Sequence, residues 1–550
     1  MLVLKYLFIC TVIISLANCA SVFQSDLVVQ IKNGAVQGRQ STTLELKVPY
    51  YSFRGIPYAE PPIGNRRFEP PVAKGNWDGV LDATEDRAHC IQGSDPVVGE
   101  EDCLFINVYT PTQPSDSCEL LPTMVWIYGG GFEGGDSTYD NYGPDFLLEK
   151  NVIVVSLNYR LGFLGFLSTG DNVVPGNNGL KDQVLALKWV KDNIDRFCGD
   201  PNQITLAGQS AGSASVAYHI QSPQSQGLFN RVIMQSGVSL SLWGLSRRVP
   251  QILNQVAVDL GIDNSTTRAI VDGLKELEVD YLQSSASSTI TSVYLANNPR
   301  EGFAIGPVIE PDHPDAFISG RSHEILEGGQ FTKVPILLGF NSLEGTYNFE
   351  LLFRLYLVQY DLNPEKLLPA DMNVDSSKAA AAAKKLKSYY FGWIPVSLSN
   401  MELMRFLSDD QFVRSIREFA RLAQRHVPVY LYRFSYEGGL WGYHNRTIAG
   451  VTHSEELGYY WVSKHDPLRE HDLTVRTRMV TLWTNFIKYG NPTPSQDSRL
   501  ENIIWETLGN SLNYLDIGEH LVPTQSPEKS NMQFWDDFYN EYGNPPYSTY

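Results

Sequence analysis

A serine stands between two glycines in Gly208-Gln209-Ser210-Ala211-Gly212, after the apolar-leaning run Ile204–Ala207 and before a small-residue, helix-like stretch that reaches Ile220. A serine on a tight strand-to-helix turn has a strained backbone. Small second neighbours let the helix pack close to the sheet. Its Oγ then stands exposed above the carboxyl edge of the sheet, beside a helix N-terminus whose dipole favours developing negative charge. That is the geometry of a serine nucleophile. The pentapeptide pattern also arises by chance, so the reading rests on its context: strand before, helix after, and Ala211 in place of a bulky residue.

A serine hydroxyl is a weak nucleophile without a base, and the oxyanion formed by its attack needs donors. Gly129-Gly130-Gly131 follows the apolar stretch "TMVWIY", and successive glycines let backbone N–H groups turn towards one point. With the N–H of Ala211 they match the two halves of an oxyanion hole. A glycine-rich loop can also bind phosphate, but this one lacks the Lys-Ser/Thr ending of a P-loop. An acid and a histidine should then follow in that order. Glu344, in "GFNSLEGTY", comes just after the apolar run Val334–Phe340, and His453, in "AGVTHSEEL", lies in a loop after the run around Tyr430. The chain has ten histidines. His219 falls within the helix after the serine, and His465 and His471 fall in charged loops, so these read as structural or solvated. Asp409 and Asp410 are the next candidates for the acid.

The elements that must position these residues alternate along the middle of the chain. Strand candidates are Met124–Tyr128, Val152–Leu157, Ile204–Ala207, Arg231–Gln235, Ile336–Phe340 and Val429–Phe434. They are short apolar runs, several rich in Val and Ile, as in a parallel sheet buried on both faces. Helical stretches lie between them. Val184, Leu185, Leu187 and Val190 fall near one stripe, and Val475, Met479, Leu482, Trp483 and Phe486 form another before Gly490-Asn491-Pro492 stops the helix. Asp375 with two following serines starts a surface helix over the alanine run 379–383. Such alternation predicts an α/β fold: a large, mostly parallel, twisted sheet with helices on both faces. The aromatic stripes read as core.

At 550 residues, 43% hydrophobic and 19% charged, with a formal net charge of −18, the chain is an ordinary acidic globular protein. The charge argues against nucleic acid and anionic membrane as partners. Lys5, an apolar run to Leu16 and small residues to Ala20 read as a secretory signal over residues 1–20, leaving 21–550 as one domain, secreted and without a membrane anchor. Asn264 and Asn445 head glycosylation sequons. Four of the six cysteines lie beyond the signal, at Cys90, Cys103, Cys118 and Cys198, and an even count in an oxidising compartment suggests two disulfides. No pair has zinc-site spacing, so no metal is expected.

Nine stretches in order resemble the type-B carboxylesterase/cholinesterase family of α/β-hydrolases, in particular its insect secreted members. They are "FRGIPYAEPPIGNRRFEPP", "EDCLFINVYTP", "WIYGGGF", "NYRLGFLGFL", "GNNGLKDQ", "ALKWVKDNI", "FCGDPNQITLAGQSAG", "MQSG" and "NSLEG". The resemblance implies hydrolysis of a small-molecule ester without a cofactor, with Ser210 as nucleophile, His453 as base, Glu344 as acid, and Gly130, Gly131 and Ala211 as the oxyanion hole. It also implies a Cys90–Cys103 disulfide. Cys118 and Cys198 are then left over. Each precedes a strand candidate by six residues, and in this fold those two strands are parallel neighbours, so a Cys118–Cys198 bridge is expected at the edge of the sheet opposite the serine.

Some positions depart from the family. Gln209 stands where many members have Glu, and Tyr128 where many have His. The segment between Cys90 and Cys103 holds no tryptophan to receive a quaternary ammonium, which argues against a cholinesterase. "GQSAG", Arg67-Phe68, Asp182-Gln183 and Gly450…His453…Glu456 resemble the juvenile hormone esterase subgroup. That activity and odorant or pheromone degradation are narrower alternatives to a general esterase. A non-catalytic adhesion homologue is a third class, in which the serine or histidine is usually lost.

Overall fold

All six apolar runs expected as strands are strands, and all lie in one eleven-stranded sheet. The structure is a computed structural model and describes residues 27–345, 351–440, 448–462 and 470–547; the expected signal segment, His465 and the sequon at Asn445 lie outside these. In chain order the sheet contains β3 (Arg39–Thr42), β4 (Pro49–Pro57), β6 (Phe105–Thr110), β7 (Leu121–Ile127), β8 (Ile153–Leu157), β9 (Gly199–Gln209), β10 (Arg231–Gln235), β11 (Ile336–Asn341), β12 (Val429–Phe434), β13 (Asn513–Ile517) and β14 (Leu521–Gln525). Their spatial order is β14-β13-β12-β11-β10-β9-β7-β8-β6-β4-β3. Every pair from β8 through β13 is parallel, whereas β3/β4, β4/β6, β6/β8 and β13/β14 are antiparallel. A second, small sheet pairs β1 (Val28–Ile31), β2 (Gly34–Gln37) and β5 (Val80–Asp82).

Side chains alternate across a strand, and here each face meets a separate core. In β7, Val125 and Ile127 join the larger cluster while Met124 and Trp126 join the smaller. The same split divides Val232 and Met234 from Ile233 in β10, and Val429 and Leu431 from Tyr430 and Tyr432 in β12. Covering both faces explains the unbroken apolar runs. β8 buries all five of its residues. Each fully buried Val, Leu or Ile contributes about 1.5–3 kcal/mol, against roughly 1–2 kcal/mol for ordering each backbone unit. A strand covered on one face only gains that contribution from half its residues, so the central strands depend on both layers.

The covering helices follow the apolar spacing. The helix Asn178–Asn193 turns Leu180, Val184, Leu187 and Val190 into the larger core. The helix Glu470–Tyr489 packs Val475, Met479, Leu482, Trp483 and Phe486 into the other. It stops as expected: Gly490 adopts φ 68° and its N–H closes on the Phe486 carbonyl. The surface helix Ser376–Tyr390 begins directly after Asp375. The strands missing from the sequence reading are β3, β4, β6, β13 and β14 of the main sheet and those of the small sheet. β1, β3, β5 and β14 alternate or are largely exposed, and β4, β6 and β13 are mostly buried but interrupt their apolar residues with Ser52, Arg54, Asn107 and Asp516.

Two disulfides are present among the described residues. Cys90–Cys103 closes a short loop, with Cα atoms 4.9 Å apart. Cys118–Cys198 joins the starts of β7 and β9, with Cα atoms 5.8 Å apart. The route differs from the equal six-residue offsets of the sequence reading, because both strands start earlier. Leu121 pairs with Gly199, and Leu121 N–H donates to the Cys198 carbonyl. The bridge therefore sits at the sheet's N-terminal edge, with Ser210 at the opposite end of β9.

Its sequence separation of 80 residues corresponds to a loop-closure contribution of about 4–5 kcal/mol. Replacing both Cys118 and Cys198 by Ala is expected to lower the thermal midpoint by several degrees while leaving ester turnover at 25 °C within about twofold. Thermal scans paired with activity check this; an unchanged midpoint contradicts it.

Candidate active site

Ser210 sits between β9 and the helix Ala211–Gln221 with φ 56° and ψ −123°. A non-glycine residue in that region is strained by about 1–3 kcal/mol and persists only when its surroundings over-determine it. They do so here. Ser210 N–H donates to the Gln235 carbonyl, and its own carbonyl receives Ala214 N–H. The flanking glycines are required by space rather than by flexibility. A Cβ on Gly208 would lie 2.5 Å from the Gly212 backbone, and one on Gly212 only 2.0 Å from the Ile127 carbonyl oxygen. The helix thus lies directly on β7 and lifts the serine above the sheet.

His453 Nε2 is 2.9 Å from Ser210 Oγ, and its Nδ1 is 2.6 Å from Glu344 Oε2. The three residues come from the ends of β9, β11 and the segment after β12, so the parallel sheet brings its C-terminal loops to one point. Glu344 is wholly buried. Its other oxygen, Oε1, accepts from Ser236 Oγ at 2.5 Å and from Asn341 N–H at 2.7 Å. The Asn341 amide group donates in turn to the Thr452 carbonyl, next to His453, and to Glu456 Oε2. Gln235 donates to the other Glu456 oxygen while its carbonyl oxygen accepts from Tyr460 OH and Trp483 Nε1. Burial, then the charge of Glu344, pushes the Glu456 carboxyl up to about 7. Sequence reasoning assigns no role to Ser236 or Asn341, though both lie inside family-like stretches, "MQSG" and "NSLEG".

The glycine loop after β7 lies against the serine: a Cβ on Gly129 would be 2.9 Å from Ser210 Cβ. Gly130 and Gly131 adopt φ 107° and 65°. The Gly130 carbonyl receives the Glu133 and Gly134 N–H groups. Among the described residues the N–H groups of Gly130 and Gly131 have no hydrogen-bond acceptor. Ala211, first in its helix, has no intrahelical acceptor for its own N–H. Beneath the loop, Tyr128 stacks on Tyr159 with ring centroids 4.6 Å apart, and Tyr159 OH donates to the Tyr128 carbonyl. Tyr128 therefore braces the loop from beneath. Gln209 donates to Ser454 Oγ and lies 3.2 Å from His453 Nε2.

An aromatic wall flanks the site. Phe412 packs on His453 at 4.9 Å, Trp243 packs on both Phe412 and Phe303, and Phe303 meets Phe132. Phe412 is held on a π-helical turn, Asp409–Val413, of the kind often found at functional sites. Nothing in the sequence singles these rings out, and only the fold reveals their position.

The other candidates go elsewhere. His219 is buried between Gln183 and Ser225, and burial pushes it down to about 3, so it stays neutral. His471 is exposed. Asp410 pairs with buried Arg300 at 2.6 Å. Asp409 accepts from Tyr390 OH and Asn531. Arg67-Phe68 and Asp182-Gln183 serve the scaffold: Arg67 pairs with Glu101, and Asp182 with buried Arg160. Asn264 is exposed. Among the described residues no group of three or more His, Cys, Asp or Glu is arranged to hold a metal, and no helix is long and apolar enough to cross a membrane.

The sheet order, the strained serine turn and the meeting of three strand-end loops define an α/β-hydrolase. The profile of the carboxylesterase family matches residues 25–535, and the chain belongs to that family. It is 35% identical over 518 residues to a juvenile hormone esterase of Tribolium castaneum, covering 88% of this chain and 86% of the relative. It is 36% identical over 504 residues to esterase FE4 of Myzus persicae, covering 84% of each. The crystal structure of juvenile hormone esterase from Manduca sexta, with OTFP covalently attached, superposes with a TM-score of 0.82 at 29% identity, over 93% of this chain and 99% of that one. The protein is a carboxylic ester hydrolase.

Asp409 yields a stability test. Burial, ahead of any neighbouring charge, pushes its carboxyl up to about 7, far above the unfolded value near 3.9. The folded state therefore holds the proton more tightly, and stability is lost as pH rises from about 4 through 7. Both hydrogen bonds fall on Oδ2, so an amide can keep them with its oxygen. Asp409→Asn is expected to stabilise the fold above pH 7, by on the order of 4 kcal/mol at most, and to leave it unchanged near pH 4. Denaturant midpoints at the two pH values check this.

Proposed function

We propose that the chain is a secreted serine carboxylesterase that works through an acyl-enzyme on Ser210. The observation that carries the reading is the continuous Ser210–His453–Glu344 chain, with contacts of 2.9 and 2.6 Å. His453 Nε2 takes the hydroxyl proton as Ser210 Oγ attacks the ester carbonyl, and Glu344 holds the imidazole in the tautomer that leaves Nε2 open. The N–H groups of Gly130, Gly131 and Ala211 receive the oxyanion. The protonated imidazole then gives its proton to the departing alcohol. Water, deprotonated by the same nitrogen, cleaves the acyl-serine. Each step balances without a metal or redox group. Export fits the basic, apolar and small-residue order of the N-terminus and two disulfides, which persist in oxidising compartments. Asn264, exposed, is the glycan acceptor that fits the same route.

The aromatic wall suits an apolar substrate. Similarity to two juvenile hormone esterases favours that narrower activity as a second reading. The comparable identity to esterase FE4 supports a broader esterase equally well. Hydrolysis of juvenile hormone set against short p-nitrophenyl esters separates them: a hormone esterase is expected to show a KM below about 1 μM for the hormone, at the low end of the usual range. The intact serine and histidine argue against a non-catalytic adhesion homologue.

Ser210→Ala is expected to abolish turnover and labelling by a fluorophosphonate probe; labelling of the folded variant would sink the nucleophile assignment. Glu344→Gln discriminates further. Ser236 and Asn341 both donate to Oε1, so the amide oxygen must take that place and its NH2 must face His453. That forces the wrong imidazole tautomer, and kcat is expected to fall roughly 10⁴-fold with the fold intact. Near-normal kcat would remove Glu344 from the mechanism.

A further inference from the structure

The aromatic wall beside Ser210 is carried by three separate segments, and its rings touch several parts of the site. Phe412 packs on His453, with ring centroids 4.9 Å apart. A Cβ on Gly131 would lie 3.4 Å from Phe303 Cζ. One on Gly237 would lie 2.7 Å from Trp243 Cη2 and 2.5 Å from the Ser210 carbonyl oxygen. The rings therefore close one side of the space next to the serine. Phe412 and Trp243 are buried, while Phe303 is partly exposed. Apolar contact is non-directional, so the position of the wall depends on what holds the three segments.

Polar ties join those segments behind the rings. Arg300, in the turn Pro299–Glu301 that leads into Phe303, donates through Nε and Nη2 to Asp410 Oδ2 at 3.2 and 2.6 Å. Asp410 lies on the same π-helical turn as Phe412. Trp243 Nε1 donates to the Gln411 carbonyl of that turn at 2.9 Å. Arg247, just after Trp243, reaches the carbonyls of Leu242, Leu245 and Glu301 through Nη1. The ties form a closed triangle, and Arg300–Asp410 is its charged side. Both side chains of that pair are buried, 3% and 0% exposed. Arg300 is also held from behind, over the Phe406 ring at 4.6 Å and by the Lys366 carbonyl at 3.2 Å. Desolvation offsets most of the attraction in such a pair, and apolar side chains of similar volume often serve stability as well. What the pair supplies is direction, because charge-assisted hydrogen bonds are short and geometrically specific.

We propose that the Arg300–Asp410 pair fixes the position of the aromatic wall and so limits the bulk of the ester group that fits beside Ser210. The proposal rests on the serine esterase reading. Both members are positioning residues, acting through Phe303 and Phe412 rather than on the reacting atoms. With the pair in place the two rings keep their spacing. Without it the Phe303 segment and the π-helical turn move apart, and a bulkier group enters. One methylene more or less in an apolar pocket changes kcat/KM by roughly 10- to 200-fold, so a small shift of the wall alters size selection several-fold.

The test uses the full-length protein and pairs of small and bulky esters. p-Nitrophenyl acetate is set against p-nitrophenyl cyclohexanecarboxylate for the acyl side, and ethyl acetate against cyclohexylmethyl acetate for the alcohol side. Active sites are counted with a fluorophosphonate probe, and the ratio of kcat/KM for bulky to small ester is compared with the wild type. Loss of folded protein lowers both rates alike, so a purely structural pair does not move the ratio. Arg300→Met combined with Asp410→Leu removes both charges together, and the ratio is expected to rise about fivefold or more in at least one series. Arg300→Lys keeps a charge opposite Asp410 and is expected to hold the ratio within about twofold. If the double variant does not fold, Arg300→Gln gives the same readout, because Asp410 keeps Gln411 and Arg414 beside it. A ratio within about twofold of wild type in both series, in a folded variant that lacks the pair, overturns the proposal. A shift in Arg300→Lys as large as that in the variant lacking the pair also overturns it. A wild type that hydrolyses none of the esters and takes no probe strikes instead at the serine esterase reading.

Discussion

The close approach of one helix to the sheet sets the rest of the site. The helix Ala211–Gln221 rests on β7 so tightly that Gly212 cannot accept a Cβ against Ile127 or Tyr128. That contact forces Ser210 into a backbone region L-residues avoid. Strain of about 1–3 kcal/mol is a large share of a marginal stability. It is held by a hydrogen bond to Gln235 and by the buried layers on both faces of the sheet. The same approach puts Gly129 against Ser210, so Ser210 and the glycine loop are positioned by one packing event rather than two.

The polar side of the site is built with the same economy. Asn341 uses its backbone N–H to hold Glu344 and its side chain to hold both Thr452 and Glu456. Ser236, one residue beyond the Gln235 that anchors Ser210, holds the same Glu344 oxygen. The ends of β10 and β11 therefore fix the acid, and through Thr452 the segment carrying the histidine. An unpaired buried carboxylate costs several kcal/mol. Glu344 accepts three hydrogen bonds, which offsets that cost and fixes which oxygen faces His453.

How much of this was legible in the sequence depended on how local each signal is. Runs buried on both faces announce their strands, and the glycines around Ser210 announce the turn, because each pattern is enforced within a few residues. β3, β5 and β14 lie at sheet edges and carry mixed burial, so neither period nor composition marks them. Glu344 and His453 were legible as positions within family-like stretches, but periodicity could not bring them together, since 109 residues separate them. Phe412, Trp243 and Phe303 have the composition of core residues. Only the crossing of three distant segments turns them into a wall. The Cys118–Cys198 bridge followed from parallel neighbours, although the offsets used for it were longer than the true ones.

Charge explains the departure at position 209. Two carboxyls already meet behind the histidine: Glu344, and Glu456, whose ionisation Glu344 opposes. A third carboxylate at position 209 would stand 3.2 Å from His453 Nε2, where Gln209 now places its amide. In a desolvated site each added like charge raises the neighbouring carboxyls further. Gln209 keeps the hydrogen bond to Ser454 without that charge. Burial and the charge of Glu344 already push the Glu456 carboxyl up, and the neutral amide of Gln209 adds no further charge beside that pair.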